Sequence, residues 1–219
     1  MAHYGAAGFA IGRAELDPAF SHATAQGYRR WRELRDFNLA DLVTFLIEAQ
    51  MGWLAENPPD GVWHATNVST RRELARAISL RFVEESRAGL LETAAILADL
   101  RERGYRIGVV SNFYGNLDRV LAEMGCARLI DVIVDSSAAG VFKPDAGIFM
   151  MALRALGVGP SEAAMVGDSI DKDCLPARRL GLRTVWLCAP SVDHTEFAEL
   201  GVAPDYVIRA LGELRGIEW

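Results

Sequence analysis

The sequence has no excess of basic charge. Its net charge is −6, and no basic stripe alternates with aromatic residues, so no nucleic-acid partner is expected. It has no apolar run of transmembrane length and does not open on a basic-then-apolar leader pattern, so no membrane partner is expected either. Cysteine is scarce: Cys126, Cys174 and Cys188 are an odd number without paired spacing. Each lies in or beside an apolar segment, which predicts buried free thiols in a reducing cytosol and hence a cytoplasmic protein. Internal repeats and low-complexity segments are also lacking. Strand patterns are missing from the first 87 residues.

The first 87 residues carry a helical pattern instead. Phe20, Ala23, Tyr28, Trp31 and Leu34 fall roughly on one stripe, and Leu39, Leu42, Phe45, Leu46 and Met51 on another. Pro58-Pro59-Asp60-Gly61 marks a turn. Thr70-Arg71-Arg72-Glu73 has the form of a capping box opening a third helix over 71–85, with Leu74, Ala77, Ile78 and Phe82 on its apolar face. Ser86-Arg87-Ala88-Gly89 interrupts the apolar pattern and divides an all-helical module, 1–87, from the remainder, 88–219. The aromatics of the module, Trp31, Trp53 and Trp63 among them, are expected in its core.

From Gly89 onward the texture alternates. A helix is expected over 90–103 and a strand over 106–110 ending in Ser111-Asn112. A helix over 117–124 and a strand over 129–134 follow, the strand ending in Asp135. Lys143-Pro144-Asp145 leads a helix over 147–156. A strand over 163–166 then runs into Gly167-Asp168-Ser169-Ile170-Asp171-Lys172-Asp173 and a helix over 174–180. Strands over 184–187 and 206–208 close the chain. Strands alternating with helices predict an α/β fold, a mainly parallel Rossmannoid sheet with helices on both faces. Right-handed crossovers gather the strands' C-terminal ends on one edge, where such sheets bind ligands. That edge collects Ser111, Asn112, Asp135, Asp168 and Asp173, with Lys143 in reach.

This set of residues suits phosphate chemistry. A hydroxyl and backbone N–H groups hold phosphate oxygens, and a lysine neutralises a dianion as a point charge. Paired carboxylates hold Mg²⁺, a hard cation that takes oxygen ligands and keeps several waters. Each feature also has an ordinary structural explanation. Ser-Asn after a strand is a common turn, Lys-Pro-Asp a common helix entry, and Asp173 a plausible helix cap.

In this order and at these spacings, the residues resemble the haloacid dehalogenase superfamily of phosphatases and related hydrolases. Gly108-Val109-Val110-Ser111-Asn112 matches its second motif, Val141-Phe142-Lys143-Pro144-Asp145 its third, and Gly167 to Asp173 its fourth. The resemblance covers 89–219 well and makes the helical first part similar to the family's α-helical cap. It implies that Ser111 binds the transferring phosphate and that Lys143 pairs with that phosphate and with the nucleophile. It further implies that Asp168 coordinates Mg²⁺ directly while Asp173 assists. Lys143 and Ser111 are then the catalytic candidates, Ser111, Asn112 and Lys143 the substrate-binding ones, and Asp168 and Asp173 the metal ligands. The implied partner is a small phosphorylated metabolite, and a homodimer is left open.

The family's first motif, Asp-x-Asp-x-Thr or Asp-x-Gly-Gly-Thr after an apolar strand, is not in this sequence. Its first Asp is the family's covalent nucleophile, and its strand is central, between the strand of Ser111 and that of Asp168. The closest stretch would place Ala10 at the nucleophile and Ala14 at the Thr. The better alignment makes 4–20 the start of the cap. Two explanations are weighed: a chain short at its N-terminus, and a degenerate relative that binds phosphate and metal in a regulatory role. The first makes the family activity a Mg²⁺-dependent phosphatase that is inactive in the sequence as it stands. A dehalogenase, which uses no metal, gains little from Asp168 and Asp173.

Overall fold

Small residues, not aromatics, line the buried face of the first helix. The computed structural model describes residues 12–58, 68–189 and 203–218. Helix α1 (Arg13–Arg29) buries Leu16, Ala19, Ala23 and Gly27, a stripe of three- and four-residue steps. Phe20, expected on that stripe, is 57% exposed. The stripe of small side chains runs beside it and allows close approach to α3 (Leu39–Glu56), where Ile47, Met51 and Leu54 complete one core with Ala75 and Ile78. The Asn38 side chain caps α3 by accepting the Asp41 N–H at 2.8 Å. The short α2 (Trp31–Leu34) lies between them in sequence.

Helix α4 (Val68–Glu102) is one continuous helix of 35 residues. The sequence pattern suggested two helices broken at 86–89. The break is absent because nothing there forbids helix: Gly89 faces open space, and no proline intervenes. Thr70 to Glu73 accordingly lies inside the helix rather than at its start.

The described residues divide into two compact units. The first contains the chain as far as Leu90 together with Phe113–Met124. Helix α5 (Leu117–Glu123) belongs to it: Val120 packs with Leu39 and Val83, and Tyr114 with Leu34 and Leu42. A Cβ on Gly27 would meet the Tyr114 ring at 2.6 Å, so the glycine is required by this contact.

The second unit holds the sheet strands. Strand β1 (Gly108–Ser111) pairs in parallel with β2 (Val132–Asp135), with Ser111 opposite Asp135. The single-turn α6 (Ser136–Ala139) and helix α7 (Ala146–Leu156) follow. Strand β3 (Ala164–Gly167) pairs in parallel with β4 (Arg183–Leu187), and β4 with β5 (Tyr206–Ile208). Between β3 and β4 run a π-helical turn (Ile170–Cys174) and α8 (Leu175–Leu180). Alternation along the strands separates two layers. Met165 packs with Phe149, Leu153 and Ala177 of α7 and α8, while its neighbour Val166 packs with Ile96 and Leu100 of α4.

The five strands form two sheets, β1–β2 and β3–β4–β5, and among the described residues β1 and β3 have no strand between them and do not pair with each other. This division falls where the resemblance lacks its central strand. The parallel α/β architecture with helices on both faces agrees with the fold expected from sequence. Ala10, Trp63 and the turn residues Pro59, Asp60 and Gly61, which carried expectations, lie outside the described residues.

Candidate functional site

One connected network of side chains joins the loops that follow β1, β2 and β3. Asn112, immediately after β1, brackets the backbone of Lys143 from both sides. Its Oδ1 accepts the Lys143 N–H at 2.7 Å, and its Nδ2 donates to the Lys143 carbonyl at 3.0 Å. The amide thus reproduces both halves of a backbone pair and fixes where the lysine leaves its loop. The sequence reading took Asn112 toward phosphate; its described hydrogen bonds show a second task, holding Lys143.

Lys143 Nζ donates to Asp173 Oδ1 at 2.7 Å, and both side chains are largely withdrawn from water, at 13% and 3% exposure. A charged pair this buried holds only with its remaining lone pairs satisfied. The other oxygen, Oδ2, accepts the Ser169 N–H at 3.1 Å. The loop between β3 and α8 is knitted from within. The Ser169 carbonyl accepts from Asp173 N at 2.9 Å and Cys174 N at 3.3 Å, and Ser169 Oγ accepts from Lys172 N at 3.2 Å. Gly167 makes room for this packing, because a Cβ there would lie 2.5 Å from the Asp173 side chain. The glycine of the Gly-Asp pair is therefore a steric requirement.

Asp168, the next residue, is exposed, and its carboxylate makes no hydrogen bond or ion pair among the described residues. Its backbone carbonyl accepts the Trp186 indole N–H at 3.0 Å. Ser111, the last residue of β1, is half-buried, and no described partner engages its hydroxyl. Asp171 and Lys172 are exposed. Asp135 ends β2 and caps α6 by accepting the Ser137 N–H at 2.9 Å.

The local field is negative. Burial first, then the charges of Asp173 and Asp168, push the Cys174 thiol up to about 12. Cys126, Cys174 and Cys188 are all buried and none is in a disulfide, as their apolar surroundings suggested.

The donor set is compatible with Mg²⁺. No three acidic, His or Cys side chains gather into a metal-binding cluster among the described residues. What is present is one unengaged carboxylate, Asp168, and a second, Asp173, whose oxygens already receive Lys143 and Ser169. Mg²⁺ typically takes one or two carboxylates, keeps waters and completes its shell with phosphate oxygens. Asp168 suits the direct ligand and Asp173 a position behind water. Sequence reasoning found these carboxylates from their spacing. It missed Trp186, whose relevance depends on strand register and leaves no motif.

The sequence model of the haloacid dehalogenase-like hydrolases matches residues 3–181. A phosphoserine phosphatase of Thermus thermophilus is 41% identical over 118 residues, covering 52% of this chain and 47% of that one. A glyceraldehyde 3-phosphate phosphatase of Methanothermobacter thermautotrophicus is 33% identical over 130 residues, covering 57% and 56%. The chain spans about half the length of these curated relatives. The crystal structure of a phosphatase of this superfamily from Thermococcus onnurineus shares the fold with a TM-score of 0.55 and 25% identity, over 91% of this chain and 90% of that one.

Proposed function

The chain belongs to the haloacid dehalogenase-like hydrolase family, and on that premise we propose that it holds a small phosphorylated metabolite at the Ser111–Lys143–Asp168 edge with the help of Mg²⁺. The observation that carries the proposal is the Asn112–Lys143–Asp173 network, in which Asn112 fixes the backbone of Lys143 and Asp173 fixes its ammonium group. A lone structural ion pair needs no such bracket. The two phosphatase relatives favour a phosphate ester over a haloacid.

In this proposal the Ser111 hydroxyl donates to one phosphate oxygen. The Lys143 ammonium, which has three N–H donors, keeps its bond to Asp173 and turns another toward the phosphate. Asn112 keeps the lysine from swinging toward solvent. Asp168 holds the metal, which when bound neutralises phosphate charge that would repel an incoming nucleophile. By the family resemblance, residues 1–87 are the part that selects the metabolite.

No residue of the network supplies the carboxylate nucleophile of the family. Asp173 is paired with Lys143, Asp168 is reserved for the metal, and Asp135 is engaged as a helix cap. The 219 residues are therefore proposed to bind phosphate and Mg²⁺ without turning over. A non-catalytic binding or regulatory role is the second reading, and the same lack of an available nucleophile supports it. The test is hydrolysis of a general aryl phosphate by the purified chain with Mg²⁺ present. Background rates are expected. Turnover that Asp168→Asn abolishes would overturn the proposal and direct attention to Asp135.

A further inference from the structure

We infer that Trp186 is a positioning residue for the metal-binding carboxylate Asp168, an inference that rests on the proposed Mg²⁺ site. In the parallel ladder Trp186 stands opposite Gly167, the last residue of β3. The ladder ends there, so the carbonyl of Asp168, one residue further, has no strand partner to accept from. A backbone acceptor left unpaired is costly. The indole N–H takes the place of the next rung, donating to that carbonyl at 3.0 Å.

The indole is well suited to hold that rung. Trp186 is 6% exposed and is packed by Cys174, Cys188 and Ile170. Two of these, Ile170 and Cys174, bound the π-helical turn that follows Asp168. The ring therefore grips the loop at both of its ends, by packing after Asp168 and by a hydrogen bond at Asp168. The side chain of Asp168 then leaves a backbone whose carbonyl direction is pinned. The second carboxylate is pinned separately, by Lys143 and by the Ser169 N–H. Among the described residues the Asp168 carboxylate has no hydrogen-bond or ion-pair partner, so the tether at its carbonyl is a described bond that fixes the residue.

A tryptophan in that place for packing alone is the competing explanation, and it makes different predictions. Trp186→Phe removes the N–H and keeps most of the aromatic bulk. Cys188→Ala disturbs the same packing cluster and leaves the hydrogen bond intact. The experiment is isothermal titration of Mg²⁺ into the parent chain and both variants. It is paired with amide hydrogen exchange of the Asp173 and Cys174 N–H groups in metal-free protein. The expected result is Mg²⁺ binding weakened about three- to tenfold in Trp186→Phe, the loss of one net hydrogen bond. Exchange at Asp173 and Cys174 should also be faster. In Cys188→Ala both quantities should stay at the parent's values even if the melting temperature falls. Equal affinity and exchange in Trp186→Phe and the parent, or equal losses in both variants, would overturn the inference. If the parent binds Mg²⁺ no better than Asp168→Asn, the metal site itself is refuted and this inference falls with it. That outcome is distinguished by its appearance in the parent rather than in the tryptophan variant.

Discussion

At the scale of single residues, the account turns on Lys143. Its ammonium is buried against a buried carboxylate, so its removal has two separable effects. Lys143→Ala is expected to weaken tungstate or orthophosphate binding by roughly ten- to a hundredfold, the range for a charge-assisted hydrogen bond. Lys172→Ala, exposed on the loop of Asp173, should leave that affinity unchanged, as calorimetry on both variants will show. The second effect is on stability. Lys143→Ala strands the Asp173 charge, which typically costs about 3–5 kcal/mol. The double variant Lys143→Ala/Asp173→Asn should recover part of that loss in urea unfolding. A further residue-scale expectation concerns Cys174. Its thiol, pushed up to about 12, should resist iodoacetamide at pH 8–9 in the native protein and react only after unfolding. Because the folded pKa is the higher, stability drawn from this thiol is full below the unfolded pKa of about 8.5. It is lost as pH rises toward 12. Most of these residues were visible in the sequence because the chemistry fixes their type and spacing. Asp173's pairing with Lys143 was not, since the two are 30 positions apart and meet by a direct contact between two loops. Nor was the bracket by Asn112, an amide that could equally have faced a ligand.

At the scale of elements, α4 shows where pattern reading fails. Ser86-Arg87-Ala88-Gly89 breaks the apolar periodicity without breaking the helix, because periodicity reports what is buried and not what is helical. At this point the helix leaves one unit and enters the other, so its apolar stripe is interrupted while its backbone hydrogen bonds continue. Gly89 therefore lowers helix stability for no steric return: a Cβ there meets nothing within 4 Å. Gly89→Ala is expected to stabilise the protein by about 1 kcal/mol, seen as a higher melting temperature. Phe20 was misplaced for a related reason. Alanine and glycine make the closest helix contacts, and hydrophobicity alone ranks the larger phenylalanine above them. Near the end of α4, Arg101 donates to Asp131 at 2.7 Å, and Asp131 also accepts the Ile107 N–H at 2.7 Å. These bonds, Arg101's first, hold the Asp131 carboxyl below the usual range. Its stabilising effect is present above the unfolded pKa of about 3.9 and is lost as pH falls through the lower folded value. Urea unfolding of Asp131→Asn should show a deficit at pH 6–7 that shrinks below pH 4.

At the scale of the whole molecule, the order of strands was legible and so was the discontinuity among them. Alternating β and α patterns, glycine after each helix and polar residues after each strand predicted a parallel α/β unit, and the resemblance implied a further central strand whose motif the sequence does not contain. Among the described residues the strands form two sheets. Among the described residues strand β4 has a partner on each edge, whereas β1 has one. Amides of β4 are therefore expected to exchange only on global unfolding and those of β1 through smaller openings, a contrast native-state hydrogen exchange would show. The residues proposed to hold phosphate keep their places, because the loops that carry Asn112, Lys143 and Asp173 are bonded directly to one another. The most direct test is a calorimetric titration of orthophosphate into the 219-residue chain, with and without Mg²⁺. The account predicts binding that Mg²⁺ strengthens and Lys143→Ala weakens. Absence of binding, or binding indifferent to both Mg²⁺ and Lys143, would contradict it.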